Sequence, residues 1–479
     1  MLTRLFLILA MLALPSHFAA AQATQPTPET EGGLYERIVP SLVAVQWTWT
    51  YEYGRMDFVA AGVVVRDDGL IAIPMQAADP GVPDVQMGDF KIIIPSREQH
   101  DEQEMEAVFQ GRDERGDLAF VKPKETSGRK WTPVKFEDVP VNIGDRVSSV
   151  GMLVKSSGYR PFLSGGIVGG TLRGELPTFV VTSGRLAAVG APVFNDRGQA
   201  IGFVNAQPRT MHLLHATGGR DAEFFNNPLA ALSILQFRPR LFVPAREFLM
   251  CINDPPTPEK QLEYPWVGAA LTGVDKDLAE AFGLQDQAAI EVSDIVPNSP
   301  CDKAGLKTGM KIVKFDGQPL ERGDTPGDIS RRLTRRVQRL KPGTVVTLTV
   351  MSEKDKPPVE LKMTLEKRPV RQNELPRYWA EDLGFSVRDI TFHDTYTRKQ
   401  PPDLKGVLVA LIRPQSPAAS ARLENEQIIQ SVNGVPVVNR EQFRTEYEKL
   451  RAAKPKDAVV FVVLTQDGQT QTIRVEPPQ

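Results

Sequence analysis

Leu42-Val43-Ala44-Val45-Gln46-Trp47-Thr48-Trp49 opens a series of short runs rich in aliphatic, β-branched and aromatic residues. Further runs follow at 58–65, 91–95, 107–110, 118–122 and 146–150, and then at 165–170, 178–182 and 200–205, with Gly, Asp and Pro between them. Many short strands separated by turn residues, with few long stretches of helical periodicity, predict an all-β barrel or sandwich. The stretch 206–240 interrupts the pattern, and 242–252 reads as a closing strand and helix of the same module.

At 479 residues the chain is too long for one core, because domains usually hold roughly 100–200 residues, and about three are expected. Charged residues make up 24 % of the chain at a formal net charge of −2. That balance leaves no basic footprint for nucleic acid. The N-terminus has Arg4, an apolar stretch over 5–14, Pro15, and Ala19-Ala20-Ala21 with the small-x-small pattern of a cleavage site. The apolar stretch is about half of the roughly 20 residues a bilayer span needs. Residues 1–21 therefore read as a cleaved secretory signal and the Thr/Pro/Glu-rich 22–33 as a linker, leaving an exported chain with no membrane span. Cys251 and Cys301 can pair in an oxidising compartment, but two thiols make no disulfide framework. Of the histidines, His17 leaves with the signal, His100 and His393 are isolated, and His212 and His215 lack the acidic or Cys neighbours of a metal site. No metal and no cofactor are expected.

The C-terminal half contains an imperfect repeat. Asp294-Ile295-Val296-Pro297-Asn298-Ser299-Pro300, followed by Ala304-Gly305-Leu306, Gly309, Ile312 and Asp316-Gly317, matches Leu411-Ile412-Arg413-Pro414-Gln415-Ser416-Pro417, followed by Ala421-Arg422-Leu423, Ile428 and Asn433-Gly434. Repeats of this length signal duplicated modules. Each copy predicts a strand, a short helix starting near Ser-Pro, a second strand, and an Asp-Gly or Asn-Gly hairpin turn. A longer helix follows in each, with Ile329, Leu333, Val337 and Leu340 at helical spacing in the first and Phe443, Tyr447 and Leu450 in the second. Arg331, Arg332, Arg335, Arg336 and Arg339 form a basic face on the first of these helices, which reads as a solvated face.

Both copies resemble PDZ domains of the HtrA type. The resemblance implies a loop whose backbone N–H groups receive a peptide's C-terminal carboxylate, while the peptide adds a strand beside the long helix. Trp266-Val267-Gly268-Ala269 stands at the matching position of the first copy, with Leu333 on the facing helix, and Leu383-Gly384-Phe385-Ser386 at that of the second. Core packing is an equal reading for Leu333 and Val337. The second copy has Arg422 and Glu426 where the pattern prefers glycine.

Three segments upstream resemble the HtrA/DegP family of trypsin-fold serine proteases. Gly69-Leu70-Ile71-Ala72-Ile73-Pro74-Met75-Gln76-Ala77 is similar to a strand ending in Thr-Asn-x-His-Val, which places Gln76 at the catalytic histidine. Asp117-Leu118-Ala119-Phe120-Val121-Lys122 keeps the family's aspartate as Asp117. Thr182-Ser183 through Ala187-Ala188-Val189-Gly190-Ala191-Pro192-Val193 is similar to the stretch holding Gly-Asn-Ser-Gly-Gly-Pro, which places Val189 at the nucleophilic serine after a loop about two residues short. Valine has no lone pair to attack with, and a glutamine amide takes no proton near neutral pH. Ser183 or Thr182 with His212 or His215 is the remaining route to a relocated nucleophile.

The resemblance implies a mainly β chain: a trypsin-like double β-barrel over 34–253, then two α+β PDZ domains over 254–369 and 377–477. It implies an exported, periplasmic pseudoprotease that binds unfolded or C-terminally exposed polypeptides as chaperone, adaptor or regulator. The alternatives are an active HtrA-type serine endopeptidase and a non-catalytic subunit that tunes active HtrA partners. The family is commonly trimeric, and Trp47, Trp49, Tyr51 and Tyr53 are candidates for such contacts, or for packing their own barrel.

Overall fold

The computed structural model describes residues 30–477 apart from 52–53, 79, 96–101, 126–127, 154, 174–175, 206–240, 285–286, 324 and 355. The signal at 1–21, most of the linker at 22–33, and Tyr53, His100, His212 and His215 lie outside the described residues.

Two closed barrels come first. Strands β1 (Leu42–Tyr51), β2 (Gly54–Val64), β3 (Ile71–Pro74), β4 (Met87–Ile94), β5 (Gln103–Asp113) and β6 (Leu118–Pro123) close in the order β1-β2-β3-β6-β5-β4. Strands β7 (Arg146–Met152), β8 (Pro161–Arg173), β9 (Pro177–Gly184), β10 (Pro192–Asn195), β11 (Ala200–Val204) and β12 (Leu241–Pro244) close in the order β10-β11-β12-β9-β8-β7. Closure removes the free edges that an open sheet of short strands would expose. Trp47 is buried inside the first barrel, stacked on Phe58 at 4.6 Å between ring centroids, and its Nε1–H donates to the Ala77 carbonyl at 3.0 Å. It packs its own barrel, while Trp49 donates to Gln86 Oε1 at 3.2 Å.

One apolar cluster joins the barrels: Leu118 and Phe120 of the first meet Phe136, Phe194, Phe203 and Phe248 of the second. Helix α1 (Glu31–Ile38) adds Leu34 and Ile38, and Thr30 caps it by accepting from the Gly33 N–H. Helix α2 (Leu249–Asn253) follows the closing strand β12 and buries Cys251 in the same cluster. Cys251 and Cys301 are both free thiols, and burial pushes the Cys301 thiol up to about 12. Protonated, buried thiols of this kind are inert.

Two β-rich units follow. The first contains β13 (Pro265–Trp266), β14 (Ala269–Gly273), α3 (Lys276–Ala281), β15 (Ile290–Ile295), α4 (Pro300–Lys303), β16 (Lys311–Phe315), β17 (Gln318–Pro319), α5 (Pro326–Gln338), β18 (Val345–Met351), β19 (Val359–Thr364) and β20 (Glu366–Lys367). Its sheet runs β14-β15-β16-β18-β19 with β17 on β16, while β13 pairs β20 separately. The second contains β21 (Tyr378–Ala380), β22 (Phe385–Asp389), α6 (Phe392–Thr397), β23 (Val407–Ile412), α7 (Pro417–Ser420), β24 (Ile428–Val432), β25 (Val435–Pro436), α8 (Arg440–Ala453), β26 (Val459–Leu464) and β27 (Thr470–Val475), in the order β21-β22-β23-β24-β26-β27 with β25 on β24.

Two of the arginines on this helical face, Arg335 and Arg339, depart from the solvated face that charge alone predicts. Arg335 is 7 % exposed and donates to the main-chain carbonyls of Glu114 and Arg115 in the first barrel. Arg339 pairs with Glu247 at 2.6 Å, and Arg368 and Arg371 both reach Glu114. The helix is thus docked on the barrels through guanidinium groups that find carbonyl and carboxylate acceptors there.

Arg422 and Glu426 hold left-handed backbone at φ 60° and 67°, the conformation that Gly305 and Gly309 adopt in the first unit at φ 83° and 89°. A side chain in that region costs roughly 1–2 kcal/mol, of which glycine's greater freedom in the unfolded chain takes back about 0.5–1 kcal/mol. Arg422→Gly, at an exposed position, is therefore expected to raise the stability of the second unit by up to about 1 kcal/mol, read from urea unfolding. A loss of stability would mean that the arginine side chain has a compensating contact.

Candidate functional site

Gln76, Asp117 and Val189, the residues that the resemblance places at a catalytic triad, come close in space. Ile71–Pro74 is wholly buried and fixes the single helical turn after it, which carries Gln76. Asp117 precedes β6 with φ 59°, and its carbonyl accepts from the Met75 N–H at 3.0 Å, tying the two turns together. Asn205, directly after β11, spans them: Gln76 Nε2 donates to Asn205 Oδ1 at 3.3 Å, and Asn205 Nδ2 donates to Asp117 Oδ2 at 3.2 Å. Gln76 and Val189 line one open cleft of 440 Å³, whose other walls include Pro74, Met152, Lys155 and Tyr159.

The turn before β10 has its own hydrogen-bond pattern. The Ala187 N–H donates to the buried Ser149 Oγ at 2.6 Å, the Gly190 N–H to the Val204 carbonyl at 2.9 Å, and the Ala191 N–H to the Ala188 carbonyl at 3.0 Å. Gly190 sits at φ 90° against the Ala61 carbonyl and Pro74, where a side chain would collide. In the trypsin fold the oxyanion is held by the N–H of the nucleophile and the N–H two residues before it. Here the second of these, on Ala187, is turned to Ser149. Val189 and Gln76, which the resemblance places at nucleophile and base, bring an alkyl group and an amide to the cleft, and neither of these transfers a proton near neutral pH. Thr182 and Ser183 lie in β9, where Ser183 pairs with Ile167 of β8, and neither is among the residues that line the cleft.

The two loops of the C-terminal repeat are a second candidate. The Gly268 carbonyl accepts from the Val296 N–H at 2.9 Å, and the Gly384 carbonyl from the Arg413 N–H at 2.8 Å. Gly268 (φ 75°) and Gly384 (φ 73°) are each pressed on the serine that caps the next helix, Ser299 or Ser416, so that a Cβ on either would overlap it. Gly268 therefore corresponds to Gly384, Val267 to Leu383 and Ala269 to Phe385. Sequence spacing places the two tetrapeptides one residue out of step.

The loops differ in what reaches them. Among the described residues, the N–H groups of Val267 and Gly268 have no main-chain acceptor, and β14 ends its sheet. Val267, Ala269 and Leu271 pack against the core that contains Ile329, Leu333 and Val337. Leu333 is itself a buried core residue, and the carbonyl of Pro326 sits where a Cβ on Gly273 would stand, so α5 closes the far end of the β14 edge. In the second unit Leu383 and Phe385 are fully buried, and the Gly384 N–H donates to the Ala380 carbonyl at 2.8 Å. Those residues, expected to contact a ligand, are turned inward.

Residues 60–203 match the trypsin-like peptidase domain family. The fold is shared with a solved HtrA-type protease, AlgW in a serine-to-alanine form with decapeptide, at a TM-score of 0.51 and 18 % identity over 72 % of this chain and 99 % of that one. Two curated relatives, both named probable periplasmic serine endoprotease DegP-like, extend the likeness in sequence. The one from Hahella chejuensis is 26 % identical over 384 residues, covering 75 % of this chain and 71 % of its own length. The one from Rhizobium meliloti is 27 % identical over 382 residues, covering 79 % and 67 %. The chain resembles the DegP-like periplasmic serine endoproteases at low identity. No helix among the described residues is long and apolar enough to cross a membrane.

Proposed function

We propose that this chain is an exported, catalytically inactive relative of DegP-like endoproteases that binds unfolded or C-terminally exposed polypeptides and acts as a chaperone, adaptor or regulator. The observation that supports the reading is the cleft itself, lined by Gln76 and Val189, the residues that the resemblance aligns with base and nucleophile, with the Ala187 N–H given to Ser149. With chemistry removed, binding is what remains. The first PDZ-like unit supplies it: the Val267 and Gly268 N–H groups open onto the end of β14, and a terminal carboxylate there accepts charge-assisted hydrogen bonds while its side chain packs on the half-buried Val267, Ala269 and Leu271. Because α5 covers β14 at Gly273, only the last few residues of a ligand pair with the strand.

The test is a titration of the full chain with matched acid and amide peptides ending in an apolar residue. Amidation is expected to weaken binding by about tenfold or more, since a charged hydrogen bond contributes roughly 1.5–3 kcal/mol. Gly268→Pro, which removes an N–H and cannot adopt φ 75°, is expected to abolish binding. Equal affinities for acid and amide would refute carboxylate capture by this loop.

A further inference from the structure

The second C-terminal unit carries a strand that the first lacks. In the first unit β14 has one neighbour in its sheet, β15, whereas in the second β22 lies between β23 and β21. Strand β21 pairs antiparallel with β22 in the register Tyr378 to Val387, Trp379 to Ser386 and Ala380 to Phe385. It takes the edge onto which an extended peptide would add, on the side of β22 that faces α8.

The contacts of β21 are those of a ligand. The Tyr378 ring stands edge-on to Phe443 and Tyr447 of α8 at 6.0 and 6.2 Å between centroids. Burial, and then the Glu448 carboxylate on the same helix, push its hydroxyl up to about 12. Ala380 gives its carbonyl to the Gly384 N–H at 2.8 Å. The turn that returns the chain is fastened as well: Asp382 pairs with Arg451 at 2.7 Å and accepts from the Tyr447 hydroxyl, while Arg413 stacks over Trp379 and donates to the Glu381 carbonyl at 2.9 Å. In the first unit the helix positions of Phe443 and Tyr447 are filled by Ile329 and Leu333, and the segment before the loop leaves to pair with β20.

We propose that Tyr378–Ala380 is a tethered ligand of the second unit, and that this groove recognises an extended, internal segment bearing an aromatic ring rather than a free C-terminus. The acceptor at the loop is a main-chain carbonyl of a chain that continues, so no carboxylate is required. Its occupation in cis also sets the condition for a partner: a segment of the same chemistry, arriving in trans, must displace β21. A tether of this length holds its ligand at an effective concentration of order millimolar, which a peptide of modest affinity does not overcome.

The experiment uses the full chain and an acetylated, amidated hexapeptide copying residues 376–381, Pro-Arg-Tyr-Trp-Ala-Glu. Wild-type protein is expected to show no saturable binding and slow exchange of the Gly384 amide hydrogen. Tyr378→Ala with Trp379→Ala is expected to speed that exchange by about tenfold or more and to bind the hexapeptide, with the free-acid form of the peptide binding no better. Should that variant unfold, Asp382→Asn, which leaves both rings in place and loosens only the turn, is expected to speed Gly384 exchange by a smaller factor. Equal exchange in wild type and whichever variants remain folded, binding of the hexapeptide to wild type as tightly as to a variant, or a strong preference for the free acid would each overturn the proposal.

Discussion

Incubated with a denatured protein, the purified chain is expected to yield no fragments above the uncatalysed background, and a serine-directed phosphonylating reagent is expected to leave its mass unchanged. Such reagents report a hydroxyl activated by a neighbouring base, and the cleft offers Val189 and Gln76 instead. Restoring the two side chains alone is expected to recover little. In Gln76→His with Val189→Ser the Asp117 carboxylate is still held by Asn205 Nδ2 at 3.2 Å, and the Ala187 N–H is still given to Ser149 Oγ at 2.6 Å. Loss of one oxyanion donor costs about 10²–10³ in kcat. Adding Ser149→Ala, which deprives that N–H of its acceptor, is therefore expected to raise turnover above that of the double variant. Stoichiometric labelling of the natural chain would overturn the pseudoprotease reading, and robust turnover by the double variant would show that the Ala187–Gly190 turn reorients on its own.

The mainly β fold was legible because its strands are short, apolar and separated by Gly, Asp and Pro. The runs at 42–49, 118–122 and 200–205 lie on β1, β6 and β11, and the closing run near 242 lies on β12. The Ser-Pro pairs were equally informative, since Ser299 and Ser416 each accept from the backbone N–H three residues on and so start α4 and α7. Other features depend on partners far along the chain. Asn205 is one polar residue at the end of an apolar strand, and only the fold brings it to Asp117 and Gln76. The helical wheel of α5 groups its arginines, but the carbonyls of Glu114 and Arg115 that bury Arg335 belong to a loop of the first barrel. The strand Tyr378–Ala380 is three residues with no periodic signal, and its pairing is decided by the Asp382 turn and the rings of α8.

Arg388→Met is expected to destabilise the second C-terminal unit by about 3–5 kcal/mol, the usual cost of leaving one member of a buried ion pair alone. Arg388 and Asp394 are 5 % and 2 % exposed, joined by Nη1 to Oδ2 at 2.7 Å and Nη2 to Oδ1 at 2.9 Å. Asp394 also accepts from the N–H and hydroxyl of Thr391, closing the cap of α6, and from Gln372 in the segment between the two units. Burial alone would raise the carboxyl pKa, but the hydrogen bonds from Arg388 and Thr391 outweigh it and hold the group at about 2. A carboxyl depressed in the folded state stabilises it at pH values above the unfolded pKa and ceases to do so as the pH falls through the folded one. The contribution is thus complete above about pH 4 and lost towards pH 2, with a size of about 2 kcal/mol from the shift itself. Urea unfolding, followed by amide exchange in Ile428–Val432, is expected to show the gap between wild type and Arg388→Met narrowing over that interval. A gap independent of pH would assign the loss to packing of the arginine stem rather than to the ion pair. Removing both charges, as Arg388→Met with Asp394→Leu, is expected to regain part of the loss but not the cap, which contributes about 1 kcal/mol.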